Sequence, residues 1–130
     1  MQGKQQQSKG GERLKSIELA KKFARILEEK KGKDVVVLEI GPYLFVTDYF
    51  VIASGESPKH VKTLAQYLEE KASEIGYKPL GREGIESSDW ILLDYGDVVV
   101  HIFDRPLRDY YRLERLWEDA LRIEKEESIS

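Results

Sequence analysis

The chain has 130 residues, 41% of them hydrophobic and 35% charged, with a formal net charge of −3. That length suits one domain with its own hydrophobic core. The absence of cysteine excludes disulfides, thiolate metal sites and cysteine catalysis, and the mixed, slightly acidic charge argues against a broad basic surface for backbone-driven nucleic-acid binding.

Residues 1–12 are polar and low in complexity and read as a disordered tail. They have no apolar core of the kind a secretory signal needs, and no apolar run approaches the roughly 20 residues that span a bilayer. The expected location is cytoplasmic. A first helix is expected from about residue 14 to residue 31. Ile17, Ala20, Ala24 and Leu27 recur at helical spacing, and Gly32 is a suitable stop. The β-branched run Val35–Ile40 predicts a buried strand, broken by Gly41-Pro42. Tyr49–Ser54 predicts a second strand, from which Gly55 lets the chain turn away.

The next helix carries the strongest local signals. Ser57 can cap it and Pro58 suits its first position. Val61, Leu64, Ala65, Leu68, Ala72 and Ile75 form an apolar stripe, and Gly76 can end it. Residues 77–89 read as a mobile loop.

Trp90–Phe103 reads as two strands joined by a tight turn at Tyr95-Gly96. If Asp94 opposes Asp97, then Leu93 opposes Val98 and Trp90 opposes His101. Alternation then puts Ile91, Leu93, Val98, Val100 and Ile102 on one aliphatic face. The other face carries Trp90, Leu92, Asp94, Asp97, Val99, His101 and Phe103. Such a mixed face is either a recognition surface or a surface covered by a further layer. A last helix follows with Pro106 in its first turn. Leu107, Tyr110, Tyr111, Leu113, Leu116, Trp117, Ala120 and Leu121 are too many apolar residues for one narrow stripe. The expected class is α/β (α+β), ordered α-β-β-α-β-β-α, with a mixed sheet flanked by helices. The folded domain is expected over residues 13–122, with a charged, frayed tail over 123–130.

Catalytic candidates are Asp94, Asp97, Asp104, His101, His60 and the Ser54/Ser57 pair. Asp94 and Asp97 flank one turn and could converge on a metal ion, but aspartate also caps turns with its own carboxylate, and the turn role is preferred. Ser54-Gly55-Glu56-Ser57 stands between strand and helix, where a phosphate loop could lie. It lacks the glycines and the Lys-Ser/Thr pair of that pattern, so a turn and helix cap is the simpler reading. Nothing resembles a nucleophile elbow. Base stacking by Trp90 and Phe103 is opposed by the two acids on the same face.

Three segments in order, Thr47–Ser57, Trp90–Phe103 and Arg108–Trp117, resemble the Iojap/RsfS family of ribosomal silencing factors. The resemblance covers about residues 16–120. It implies a fold related to nucleotidyltransferases without their catalytic carboxylate pattern. It implies a non-enzymatic protein without cofactor or metal. Its expected partner is the large ribosomal subunit through large-subunit ribosomal protein fourteen, with the small subunit sterically blocked from joining and translation repressed. Some members form homodimers, and organellar relatives are connected with large-subunit maturation. On this reading Trp90, Leu92, Asp94, Asp97, Val99, His101 and Phe103 dock on the basic ribosomal protein, and Tyr95 reaches it from the turn tip. The rival readings are a nucleotidyltransferase-like phosphoryl-transfer enzyme, a ribosome assembly factor and a single-stranded RNA-binding sheet.

Overall fold

The computed structural model describes residues 14–41, 47–105 and 121–123. Among these residues two helices, α1 (Ser16–Glu29) and α2 (Pro58–Glu74), accompany strands β1 (Lys33–Glu39), β2 (Tyr49–Gly55), β3 (Gly81–Glu83), β4 (Trp90–Asp94), β5 (Val98–Asp104) and β6 (Leu121–Ile123). The strands form one mixed sheet in the order β3-β4-β5-β2-β1-β6. Among the described residues only β2 and β5 pair in parallel; the other neighbours are antiparallel.

Both helices cover the same face. Phe23, Ala24 and Leu27 of α1 and Leu64, Ala65 and Leu68 of α2 pack on Val37, Val51, Ile91, Val100 and Ile102 of the sheet. Burying each of the large side chains is worth about 1.5–3 kcal/mol, so this layer supplies most of the driving force for folding. The helices run antiparallel. The Leu14 N–H at the start of α1 donates to the Tyr77 hydroxyl beyond the end of α2, and His60 in the first turn of α2 bonds the Lys30 carbonyl at the end of α1.

The helix ends follow known capping rules. Ser57 Oγ accepts the His60 N–H at 3.1 Å, and Pro58 takes the first position. At the end of α2 the expected Gly76 adopts a φ of 92°, with the paired Tyr77→Ala72 and Gly76→Ser73 bonds of a Schellman closure. The end of α1 departs from expectation. Its left-handed residue is Lys31, with a φ of 67°, not Gly32. Gly32 follows it and donates to the Leu27 carbonyl, while Lys31 donates to Glu28. Gly32 matters because a side chain there would press on the Leu27 carbonyl.

The hairpin needs two corrections. Trp90 opposes Phe103, Leu92 opposes His101 and Asp94 opposes Val99, so the register is two residues from the expected one. Tyr95 and Val98 close the ladder, and the turn is Gly96-Asp97, not Tyr95-Gly96. Gly96 has a φ of 90° and Asp97 is not in the positive-φ region, as a type II′ turn requires.

Two strands fall where none was expected. Part of the supposed loop at 77–89 is β3, paired to β4. Leu121–Ile123, placed at the end of the last helix and the start of the frayed tail, is β6 against β1. The expected disordered residues 1–12, the rest of the last helix (106–120) and the tail from 124 lie outside the described residues.

Candidate functional site

The candidate site is the second face of the sheet. Strand pairing places Trp90, Leu92 and Asp94 of β4 on it, then Val99, His101 and Phe103 of β5, Phe50, Ile52 and Ser54 of β2, and Val36 and Leu38 of β1. Among the described residues no helix packs there; both helices belong to the opposite layer. The face is graded. Toward β1 and β2 it is a closed cluster of Val36, Leu38, Ile40, Ile52 and Phe103, with Phe50 and Trp90 packed at its margin. Toward β4 it opens, and Trp90, Leu92, Asp94, Val99 and Phe50 are all half-buried.

An aromatic stack organises the open margin. The Trp90 ring lies on Phe103 with centroids 4.9 Å apart and planes 28° apart. Phe50 meets His101 edge-on at 4.5 Å. His101 lies nearly parallel to Phe103 at 6.2 Å. The Trp90 indole N–H donates to His101 Nδ1 at 3.2 Å, so the imidazole proton sits on Nε2. That Nε2 is buried and has no hydrogen-bond partner. Burial pushes the His101 pKa down from 6.5 to about 4, because a charged imidazole would lose its hydration there. The ring is therefore neutral at physiological pH.

The expected site residues do not all share one surface. Trp90, Leu92, Asp94 and Val99 lie on the open strip, and Asp97 is exposed at the turn. His101 (4% exposed) and Phe103 (0%) lie beneath. Tyr95 is not at a turn tip. It belongs to the helix-side core, with its ring 4.7 Å from that of Phe23, and its hydroxyl is buried without a partner. Burial raises the Tyr95 pKa, with Glu69 adding to the effect. Phe50 joins the open strip unforeseen; only the parallel pairing of β2 with β5 sets it beside Val99.

The two turn acids have separate structural tasks. Asp94 Oδ1 accepts the Gly96 N–H at 2.8 Å, two residues on, the local aspartate bond that shapes turns. Asp97 Oδ2 accepts from Ser16 Oγ at 3.1 Å, which ties the turn to the start of α1. His60 accepts the Glu56 N–H through Nδ1 and so donates to the Lys30 carbonyl through Nε2. Ser54 is fully buried and Ser57 is the helix cap. Among the described residues no group of three or more histidines and carboxylates is gathered as metal ligands would be, and no helix is long and apolar enough to cross a membrane.

The sequence profile described as ribosomal silencing factor during starvation matches residues 13–130. The chain belongs to the ribosomal silencing factor family. The "Ribosomal silencing factor RsfS" of Halalkalibacterium halodurans is 40% identical over 117 residues, covering 90% of this chain and all of that protein. The mouse protein named "Mitochondrial assembly of ribosomal large subunit protein 1" is 32% identical over 95 residues, 71% of this chain and 42% of its own length. A crystal structure of a Chromobacterium violaceum protein superimposes with a TM-score of 0.78 at 38% identity, covering 81% of this chain and 88% of that one. The α/β fold with a mixed sheet is thus that of the family. The family consists of ribosome-associated translation regulators and is not a known enzyme class.

Proposed function

We propose that this protein represses translation by binding the large ribosomal subunit through large-subunit ribosomal protein fourteen, where its bulk blocks the small subunit from joining. The observation that carries the reading is the open strip on the second sheet face. Trp90, Leu92, Val99 and Phe50 give it an apolar centre, Asp94 and Glu83 give it an acidic margin, and Asp97 adds an exposed acid at the adjoining turn. Aromatic anchors at the centre of a patch dominate binding energy once buried, and acids at its margin orient a basic partner and speed encounter. Steric exclusion then needs no chemistry, and the protein is proposed to act without cofactor or metal and to reside in the cytoplasm.

Residues Trp90, Leu92, Asp94, Asp97 and Val99 are proposed to touch the partner. His101 and Phe103 support them from below, and Tyr95 serves the opposite core. Sedimentation of purified subunits with and without the protein tests partner and consequence together. Trp90→Ala is expected to weaken large-subunit binding by about 2 kcal/mol or more and to restore subunit joining, with the fold retained. A folded Trp90→Ala protein that blocks joining at wild-type concentration would refute the surface.

The name of the mouse relative favours a second reading, in which the same surface serves assembly of the large subunit. Precursor subunits accumulating when the protein is depleted, in cells growing without nutrient limitation, would favour assembly over silencing.

A further inference from the structure

One polar group on the second face lies beneath the proposed contact residues and is not proposed to touch the partner. His101 is 4% exposed in the middle of β5, surrounded by Phe50, Trp90 and Phe103. Phenylalanine or leucine would fill such a place without burying an unpartnered N–H, and buried unpartnered donors are uncommon because they forfeit their hydration. Here Nε2–H is that donor. What histidine supplies that an apolar residue cannot is the acceptor at Nδ1, and that acceptor takes the indole N–H of Trp90.

The indole sits at the margin of the closed cluster and is half-buried. Stacking on Phe103 constrains the plane of the ring, but both faces of an indole stack alike, so the stack by itself does not define which edge of the indole faces His101. A directed hydrogen bond from Nε1 selects one orientation. We propose that His101 is a positioning residue for Trp90: its Nδ1 holds the indole in a single orientation on the sheet, so that the free protein already presents its main anchor in the binding geometry. This rests on the reading of the strip as the ribosome-docking surface. The effect on binding arises because a side chain ordered beforehand loses less freedom on association.

Two substitutions separate the acceptor from the bulk. The amide oxygen of asparagine can occupy the place of Nδ1, whereas the amide of glutamine lies at the place of Nε2 and does not reproduce the acceptor at Nδ1. The binding of purified large subunits is measured for wild type, Trp90→Ala, His101→Asn and His101→Gln, each checked for folding by circular dichroism. His101→Gln is expected to weaken binding roughly fivefold, the equivalent of one hydrogen bond, and His101→Asn to stay within about twofold of wild type. Equal affinity for the two variants, whether weakened or not, overturns the positioning role. If His101→Gln alone is weakened while Trp90→Ala binds as wild type, the docking surface itself is wrong.

A spectroscopic measurement keeps the proposal open to refutation if the variants do not fold. In the unaltered protein, nitrogen NMR is expected to show His101 as the Nε2–H tautomer, with a scalar coupling across the bond from the Trp90 indole nitrogen to Nδ1. An Nδ1–H tautomer overturns the proposal. So does an indole N–H of Trp90 that exchanges with solvent as fast as that of an exposed tryptophan.

Discussion

Acidification tests the buried histidine most directly. In the unfolded chain the His101 imidazole takes up a proton as the pH falls through its ordinary value of 6.5, whereas in the folded protein burial delays this until about 4. Between those values the unfolded state binds one more proton than the folded state, so stability falls as the pH falls. The contribution is intact above 6.5, declines through the interval and is gone below about 4. At about 1.36 kcal/mol per pH unit, the whole interval corresponds to about 3 kcal/mol, and about 2.5 kcal/mol is lost by roughly pH 4.5. That is a large part of the roughly 5–15 kcal/mol that holds a domain folded. Urea unfolding of wild type and His101→Asn, from about pH 7.5 to about pH 4.5, gives the two stability curves. The other ionisable groups are the same in both proteins and cancel in the difference. The variant is expected to start less stable and to lose about 2.5 kcal/mol less across the range. Parallel curves would show that His101 takes up its proton at the same pH folded as unfolded, and its burial in a closed aromatic cluster would be wrong.

Other substitutions test neighbouring claims. Tyr95→Phe removes a buried hydroxyl that has no partner, so stability should stay level or rise by about 1 kcal/mol in urea unfolding, and large-subunit binding should not change; a fall in binding would return Tyr95 to the docking surface. Val99 and Val100 are adjacent on β5 but face opposite sides, the first half-buried and the second fully buried under the helices. Val99→Lys should fold and lose at least about tenfold in subunit binding, whereas Val100→Lys should fail to fold because an unpaired charge would enter the core; two variants with equal stability would contradict the assignment of faces. Lys31→Gly should raise the unfolding midpoint, because a side chain in the left-handed region costs about 1–2 kcal/mol and glycine gives back about 0.5–1 kcal/mol of that through the unfolded chain.

The faces of the hairpin were legible although its register was not. Pairing slipped by two residues, from Leu93 opposite Val98 to Leu93 opposite Val100, and a slip of two leaves every side chain on its own face; a slip of one would have exchanged them. The error came from placing the turn one residue early, and it hid Tyr95. Alternation continued through Asp94 puts Tyr95 on the side of Leu93, which is where it packs against Phe23. The two short strands had no comparable signal. Gly81-Arg82-Glu83 is three residues with two charges, and it pairs because β4 offers an open edge. Leu121-Arg122-Ile123 alternates, but over three residues that pattern cannot be separated from the end of a helical one, and its partner β1 lies more than 80 residues earlier. Phe50 was missed for the same kind of reason. Its place beside Val99 and against His101 depends on a parallel pairing between distant segments.

That parallel pairing also limits the width of the half-open strip proposed as the docking surface. It sets the aromatic end of β5 against β2, so Phe103 and Ile52 become part of a closed cluster with Val36, Leu38 and Ile40, while Trp90, Leu92 and Asp94 of β4, with Val99 and Phe50, stay half-open. A wholly open apolar sheet of this size would invite nonspecific association. The graded face avoids this while leaving Trp90 anchored from beneath by Phe103 and from the side by His101. An anchor held in this way contributes its contact area without first having to be ordered. The partner should therefore sense the loss of the supports, and not only the loss of the anchor. This is why the binding energy of the strip is expected to depend on His101, a residue that the partner does not touch.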